Sequence, residues 1–318
     1  MDKPDYSKLK IGISSCLLGE GVRFDGGHKK NSYVTGVLAQ YFSFVPFCPE
    51  VEAGLGTPRE PIRLVKINDD TKCVGVKTPE WDVTEKLVAV AQPKRDWQHS
   101  LCGYILKKDS PSCGMERVKV YSKGAPNRSG VGLYAQGLMK NFPHLPIEEE
   151  GRLEDPHLRE NFIQRVYVYS RWLNLYGKDL SLKVLQNFHA RHKYIFMSHS
   201  QQKSRELGAL IVNHNGIDLD ALAQRYLASM MALLKDIATR KNHVNTLMHI
   251  QGYLKNHLDK DDKAELSDVI ENYYRGLLPL IVPITLLRHH FRKYPNDYID
   301  HSFYMAPHPG ELMLFNHI

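Results

Sequence analysis

The sequence predicts an α/β N-terminal domain, an open and mostly parallel sheet with flanking helices, followed by an all-α C-terminal domain. Short apolar stretches ending in turns alternate with helical spacing through residues 1–150. From residue 157 to 318, long segments carry apolar side chains at three- and four-residue steps. Between the two textures lies PHLPIEEEGRLEDP, residues 143–156, acidic and Pro-containing, which reads as the boundary. The expected domains are therefore 1–150 and 157–318.

Taken in order, LKIGISS alternates apolar and polar residues and predicts a strand running into a turn at Cys16, with Gly19 and Gly21 beyond it. Residues 32–42 have helical spacing, and FSFVPFCPE reads as a second strand ending at Cys48. KCVGVKT is β-like, and DVTEKLVAVAQ is an amphipathic helix opened by Asp82 or Thr84. LCGYILKKDSPSCG is a third strand whose terminal turn carries Cys113. Three strands thus deliver their carboxyl ends to cysteine-bearing loops, where open α/β sheets bind ligands. The second half reads as five helical segments, the last running without a break from DKAELSD to HHFRKY.

Composition narrows the class. With 42% hydrophobic and 24% charged residues the chain is typical of a globular protein. The opening MDKPDYSKLK has no apolar core of a signal peptide, and the apolar run 277–287 is too short to span a bilayer. A cytoplasmic location and no membrane partner are expected. The net charge of +7 is spread over both halves, which suits an anionic substrate and permits RNA contact without requiring it. Nothing in the sequence addresses oligomeric state.

Five cysteines, an odd number, argue against a disulfide framework. Cys73 and Cys102 sit in apolar contexts and read as core residues. Cys16, Cys48 and Cys113 sit in turns, separated along the chain by far more than the two to four residues of a structural zinc site. Spacing alone leaves two readings open: packing residues, or soft ligands of a site assembled by the whole fold.

The motifs SSCLLGEGVRFDGGHK, FCPEVEAGLGTPREPIRL and DSPSCG, in that order, resemble the thiouracil desulfidase family over roughly residues 10–150. RHK at Arg191, YPNDYID and PHPGELMLFNHI resemble the YbgA-like helical domain often found behind that module. The resemblance implies a 4Fe–4S cluster on Cys16, Cys48 and Cys113, one iron lacking a protein ligand, and a thiolated pyrimidine base or nucleotide as substrate. It implies exchange of a thiocarbonyl for a carbonyl with no net redox change. Many members have Cys-Arg-Tyr where this chain has Val22-Arg23-Phe24, so a second cysteine is missing there, although Cys16 still matches the ligand.

Glu50, two residues beyond Cys48, is the expected general base, and Ser110 is expected to orient water or relay a proton. Ser112 is a second candidate of the same kind. Arg23, Asp25 and Arg59 are expected at the pocket, since an arginine grips a carbonyl or phosphate in a bidentate way. In the helical half, His189 and His192 share a helix face, read as solvated or, less simply, as metal-binding. The adjacent His289 and His290 are expected to point in different directions. That half is expected to recruit substrate or cover the pocket. Two other classes remain: a sulfur-transfer enzyme with a nucleophilic cysteine, and an RNA-binding protein with a structural cluster.

Overall fold

The computed structural model describes residues 8–68, 70–93, 96–122, 125–176, 180–214, 216–312 and 314–316. Residues 1–7, which bear on the signal-peptide expectation, lie outside them. The chain divides into two compact units, Met1–Asp155 and Pro156–Ile318.

The first unit holds two four-stranded sheets. Sheet A has the order β2-β1-β5-β8, from β1 (Leu9–Ser14), β2 (Phe42–Phe47), β5 (Gly103–Leu106) and β8 (Ile147–Glu149), with every pair parallel. Register fixes the alignment, with Ile11 opposite both Phe44 and Gly103. Pro46 sits in β2, an edge strand, where a missing N–H costs no ladder bond on the open side. Central β5 is buried throughout, the continuous apolar run expected of a covered parallel strand. Sheet B has the order β4-β3-β6-β7, from β3 (Ile62–Ile67), β4 (Asp70–Gly75), β6 (Val118–Tyr121) and β7 (Asn127–Gly130). It mixes antiparallel hairpins with a parallel β3–β6 pair. Its core gathers Ile62, Leu64, Cys73, Val118 and Val120 against Val83 and Leu87. The open parallel sheet is as expected; the second sheet was not foreseen.

Short helices join these strands: α1 (Ser32–Gly36), α2 (Pro49–Glu52), α3 (Thr84–Val90), α4 (Asp96–His99) and α5 (Leu133–Asn141). The segment read as helical over 32–42 is divided between α1, a 3-10 turn at Leu38–Gln40 and the start of β2. The N-cap position of α3 is Val83, between the two residues expected there. Asp82 accepts from the Thr84 backbone N–H (2.9 Å), while the Thr84 hydroxyl accepts from the Cys73 N–H and ties α3 to β4.

The stretch 143–156 is more than a boundary, because it supplies β8. Its carboxylates are buried yet matched. Arg152 donates to Glu148 (2.6 Å), the Met115 N–H to Glu149 (2.7 Å) and the Lys108 N–H to Glu150 (2.7 Å).

The second unit is helical: α6 (Pro156–Tyr176), α7 (Leu182–His199), α8 (Gln201–Val212), α9 (Leu219–Leu234), α10 (Arg240–Gln251), α11 (Lys260–Tyr274), α12 (Ile281–Lys293) and α13 (Asp297–Asp300). Serine, aspartate and threonine side chains cap α7, α8, α9 and α10, each accepting a backbone N–H of the first turn. Helix α8 was not foreseen. The last segment read from sequence is broken, because Gly276, at a φ of 76°, ends α11 before Pro279. One apolar core centres on Trp172, stacked on Tyr226 at 5.5 Å.

His192 is buried against that core and His189 is half-buried beside it, which corrects the solvated-face reading. The His192 ring is fully buried, 4.0 Å from Phe188 and 4.6 Å from Phe303, with Nδ1 2.7 Å from the Phe188 carbonyl. His189 Nδ1 lies 3.0 Å from the Tyr226 hydroxyl. Of the adjacent pair, His290 is buried and His289 exposed. Among the described residues no helix is long and apolar enough to cross a membrane.

Candidate active site

Parallel strands β1, β2 and β5 end side by side, and each is followed by a turn bearing one cysteine. Cys16 lies in a 3-10 turn, Ser15–Leu18, directly after β1. Its carbonyl accepts from the Lys29 N–H at 2.9 Å, which folds the 19–29 loop back over the strand end. Cys48 follows β2 as the N-cap residue of α2, with Pro49 in the first helical position, where its missing N–H is not needed. Cys113 follows β5 in the SPSC turn, gripped by the first turn of α5. The Leu133 and Ala135 N–H groups donate to the Pro111 and Ser112 carbonyls, both at 3.1 Å. Gly132 allows that approach, since a Cβ there would stand 2.5 Å from the Ser112 carbonyl carbon.

The three cysteines line one cavity of about 310 Å³, together with Ser14, Arg23, Glu50, Arg59, Lys107, Ser110 and Ser112. All five cysteines are free thiols. Burial pushes the Cys16 thiol up to about 11, with Cys48 adding to the rise and the Lys107 and Arg23 cations opposing it. Burial likewise raises Cys48 and Cys113. Cys73 and Cys102 are buried and stand outside the cavity wall.

Glu50 is held from two sides. Arg59 donates Nε (2.9 Å) and Nη2 (2.5 Å) to Oε2, and the Ser112 hydroxyl donates to Oε1 (2.5 Å). The Ser112 oxygen lies 2.9 Å from Ser110 Oγ and 3.7 Å from Cys113 Sγ. Ser110 Oγ also accepts the Cys113 N–H at 3.1 Å. Arg59 faces the cavity with a guanidinium already engaged, since Nη1 and Nη2 also donate to the Val22 carbonyl, each at 3.0 Å. Val22 therefore contributes its backbone oxygen to the site.

Arg23 lines the wall, its guanidinium 5.4 Å from the Phe24 ring centre. Asp25 is not brought into that wall. It is exposed, accepts the Gly27 N–H at 3.0 Å, and reaches Arg23 Nε only at 3.7 Å. The Gly27 bond, chiefly, holds its carboxyl below the usual range. The sequence reading missed three residues here: Lys107, which lines the cavity, Glu150, which pairs with its ammonium, and Ser14. The first was findable, because Lys107 follows the strand end at Leu106 as Cys16 and Cys48 follow theirs.

An α/β unit with cysteines at three adjacent strand ends defines the class, and comparison with known proteins gives the family. Residues 11–150 match the family described as 2-thiouracil desulfurase, and residues 193–309 match DUF1722, a protein family of unknown function. The chain belongs to the 2-thiouracil desulfurase family through its first unit and to DUF1722 through its second, as the motif resemblance implied.

Among relatives, the uncharacterized protein YbgA of Escherichia coli (strain K12) is 30% identical over 151 residues, 47% of this chain and 89% of YbgA. The uncharacterized protein YbbK of Bacillus subtilis (strain 168) is 31% identical over 145 residues, 43% of this chain and 93% of YbbK. A solved structure, the [4Fe-4S]-dependent thiouracil desulfidase TudS, is similar at 28% identity and a TM-score of 0.37, over 46% of this chain and 94% of that one.

Proposed function

We propose that the first unit is a desulfidase that exchanges the thiocarbonyl sulfur of a pyrimidine base or nucleotide for oxygen, with a 4Fe–4S cluster held by Cys16, Cys48 and Cys113. The meeting of three cysteines and the Glu50 carboxylate on one cavity carries this reading. The donor set fits the cluster. Among the described residues, three soft sulfur donors and no histidine line the cavity, the ligand type that iron–sulfur clusters take. When bound, a cluster with three protein ligands supplies one open iron, a Lewis acid with affinity for sulfur.

The chain's own groups supply the rest. The net change is thiocarbonyl plus water to carbonyl plus hydrogen sulfide, with no electrons transferred. Glu50 takes a proton from the water that adds to the ring carbon. Arg59 fixes Oε2, so the carboxylate presents one orientation and Arg59 acts as a positioning residue. The Ser112 and Ser110 hydroxyls, 2.9 Å apart, form a path from Oε1 along which that proton moves. Arg23 is the contact for a pyrimidine carbonyl or phosphate, and Asp25 restrains Arg23 rather than touching substrate.

A nucleophilic cysteine without a cluster is the second reading, and dependence of turnover on iron separates the two. The test is anaerobic reconstitution with iron and sulfide, then turnover of 2-thiouracil, 4-thiouracil and 4-thio-UMP. Cluster-dependent release of sulfide from at least one is expected. A metal-free protein that is fully active would refute the reading.

A further inference from the structure

We propose that Lys107, set by Glu150, is a further functional residue of this cavity: its ammonium is the fixed countercharge for the sulfur anion that the reaction expels. The inference rests on the desulfidase reading and adds a residue to it.

Lysine is long and flexible, yet this one is fastened at both ends. Its backbone N–H donates to Ser14 Oγ at 3.0 Å. Its ammonium donates to Glu150 Oε1 and to the Lys108 carbonyl at 3.2 Å. Glu150 is fastened in turn, since Oε2 accepts the Lys108 N–H at 2.7 Å and its own N–H donates to the Leu106 carbonyl at 3.1 Å. The pair is mostly buried, with the Lys107 and Glu150 side chains 15% and 7% exposed.

A buried ion pair is a poor investment in stability alone, because desolvating both charges offsets their attraction. Here Lys107 lines the cavity that holds Cys16. The chemistry needs a cation at that place. Water addition leaves its first proton on Glu50; the proton remaining on the added oxygen passes to sulfur, and the C–S bond then breaks with its electron pair going to sulfur as the C=O bond forms. The departing hydrosulfide carries a full negative charge, and a preorganised ammonium at the cavity wall stabilises it.

The experiment compares reconstituted wild type with Lys107→Met, Lys107→Arg and the double variant Lys107→Met/Glu150→Gln, the last removing the buried carboxylate that a single change would strand. Iron content, kcat and KM are read for each. Expected are a fall of at least tenfold in kcat for Lys107→Met and for the double variant, at unchanged iron content and KM, and substantial rescue by arginine. Wild-type kcat in the double variant, or a loss fully explained by lost iron, would overturn the proposal. An inactive, fully loaded wild type would instead remove the desulfidase reading beneath it.

Discussion

Arg59 and Glu50 form a two-point clasp, Nε to Oε2 at 2.9 Å and Nη2 to Oε2 at 2.5 Å, beside the cavity into which three cysteines project. The same guanidinium reaches the Val22 carbonyl, so one side chain ties the 19–29 loop to the helix that Cys48 precedes. Arginine's rigid fork matches this double duty, and lysine's single ammonium does not.

Arg59→Lys should therefore keep the charge and lose the orientation. The expected outcome is a fall in kcat of about tenfold or more with KM nearly unchanged, the pattern of an interaction that matters mainly in the transition state. Steady-state kinetics on reconstituted protein checks this, and a change confined to KM contradicts it.

Glu50→Gln preserves shape and removes the proton acceptor. Loss of a general base costs on the order of 10²–10⁴ in rate. Iron and sulfide content should match wild type. A Gln variant with wild-type kcat would show that another group activates water.

Cys113→Ala should abolish iron retention after anaerobic reconstitution. Cys73→Ala should not, because Cys73 packs in the sheet B core with Leu64 and Val118. Metal analysis of the two purified variants separates them, and equal iron in both refutes the ligand assignment.

In the helical unit, His199 is buried with Nε2 2.5 Å from Gln164 Oε1 and Nδ1 2.5 Å from the Asp236 carbonyl. Burial lowers its pKa from 6.5 to about 4. On acidification the unfolded chain takes up this proton first. The stabilisation is complete above pH 6.5 and is lost between about 6.5 and about 4. The full loss amounts to about 3 kcal/mol for this group alone. Urea unfolding at pH 7.5 and pH 4.5 should show a smaller acid-induced drop for His199→Gln than for wild type. Equal drops would remove His199 as a contributor.

The parts of the site readable in sequence are those whose signal is local. Cys16, Cys48 and Cys113 stand beside turn residues at the ends of β-like runs, and β1, β2 and β5 set those ends in a row. What escaped depends on partners far along the chain. Residues 147–149, IEE, show no apolar alternation, and only Arg152, Met115 and the 107–108 turn make three adjacent carboxylates tolerable, two in the edge strand and Glu150 just after it. Lys107 carries no signal of its pairing in the local sequence for the same reason, with its partner Glu150 in a distant segment. His192 looked solvent-facing because its aromatic surroundings include Phe303, contributed from beyond α13.

The Cys16, Cys48 and Cys113 turns hang from three separate strands that backbone pairing holds in line. Each thiol is thus anchored to the sheet through its own strand, so a change in one turn leaves the other two anchored.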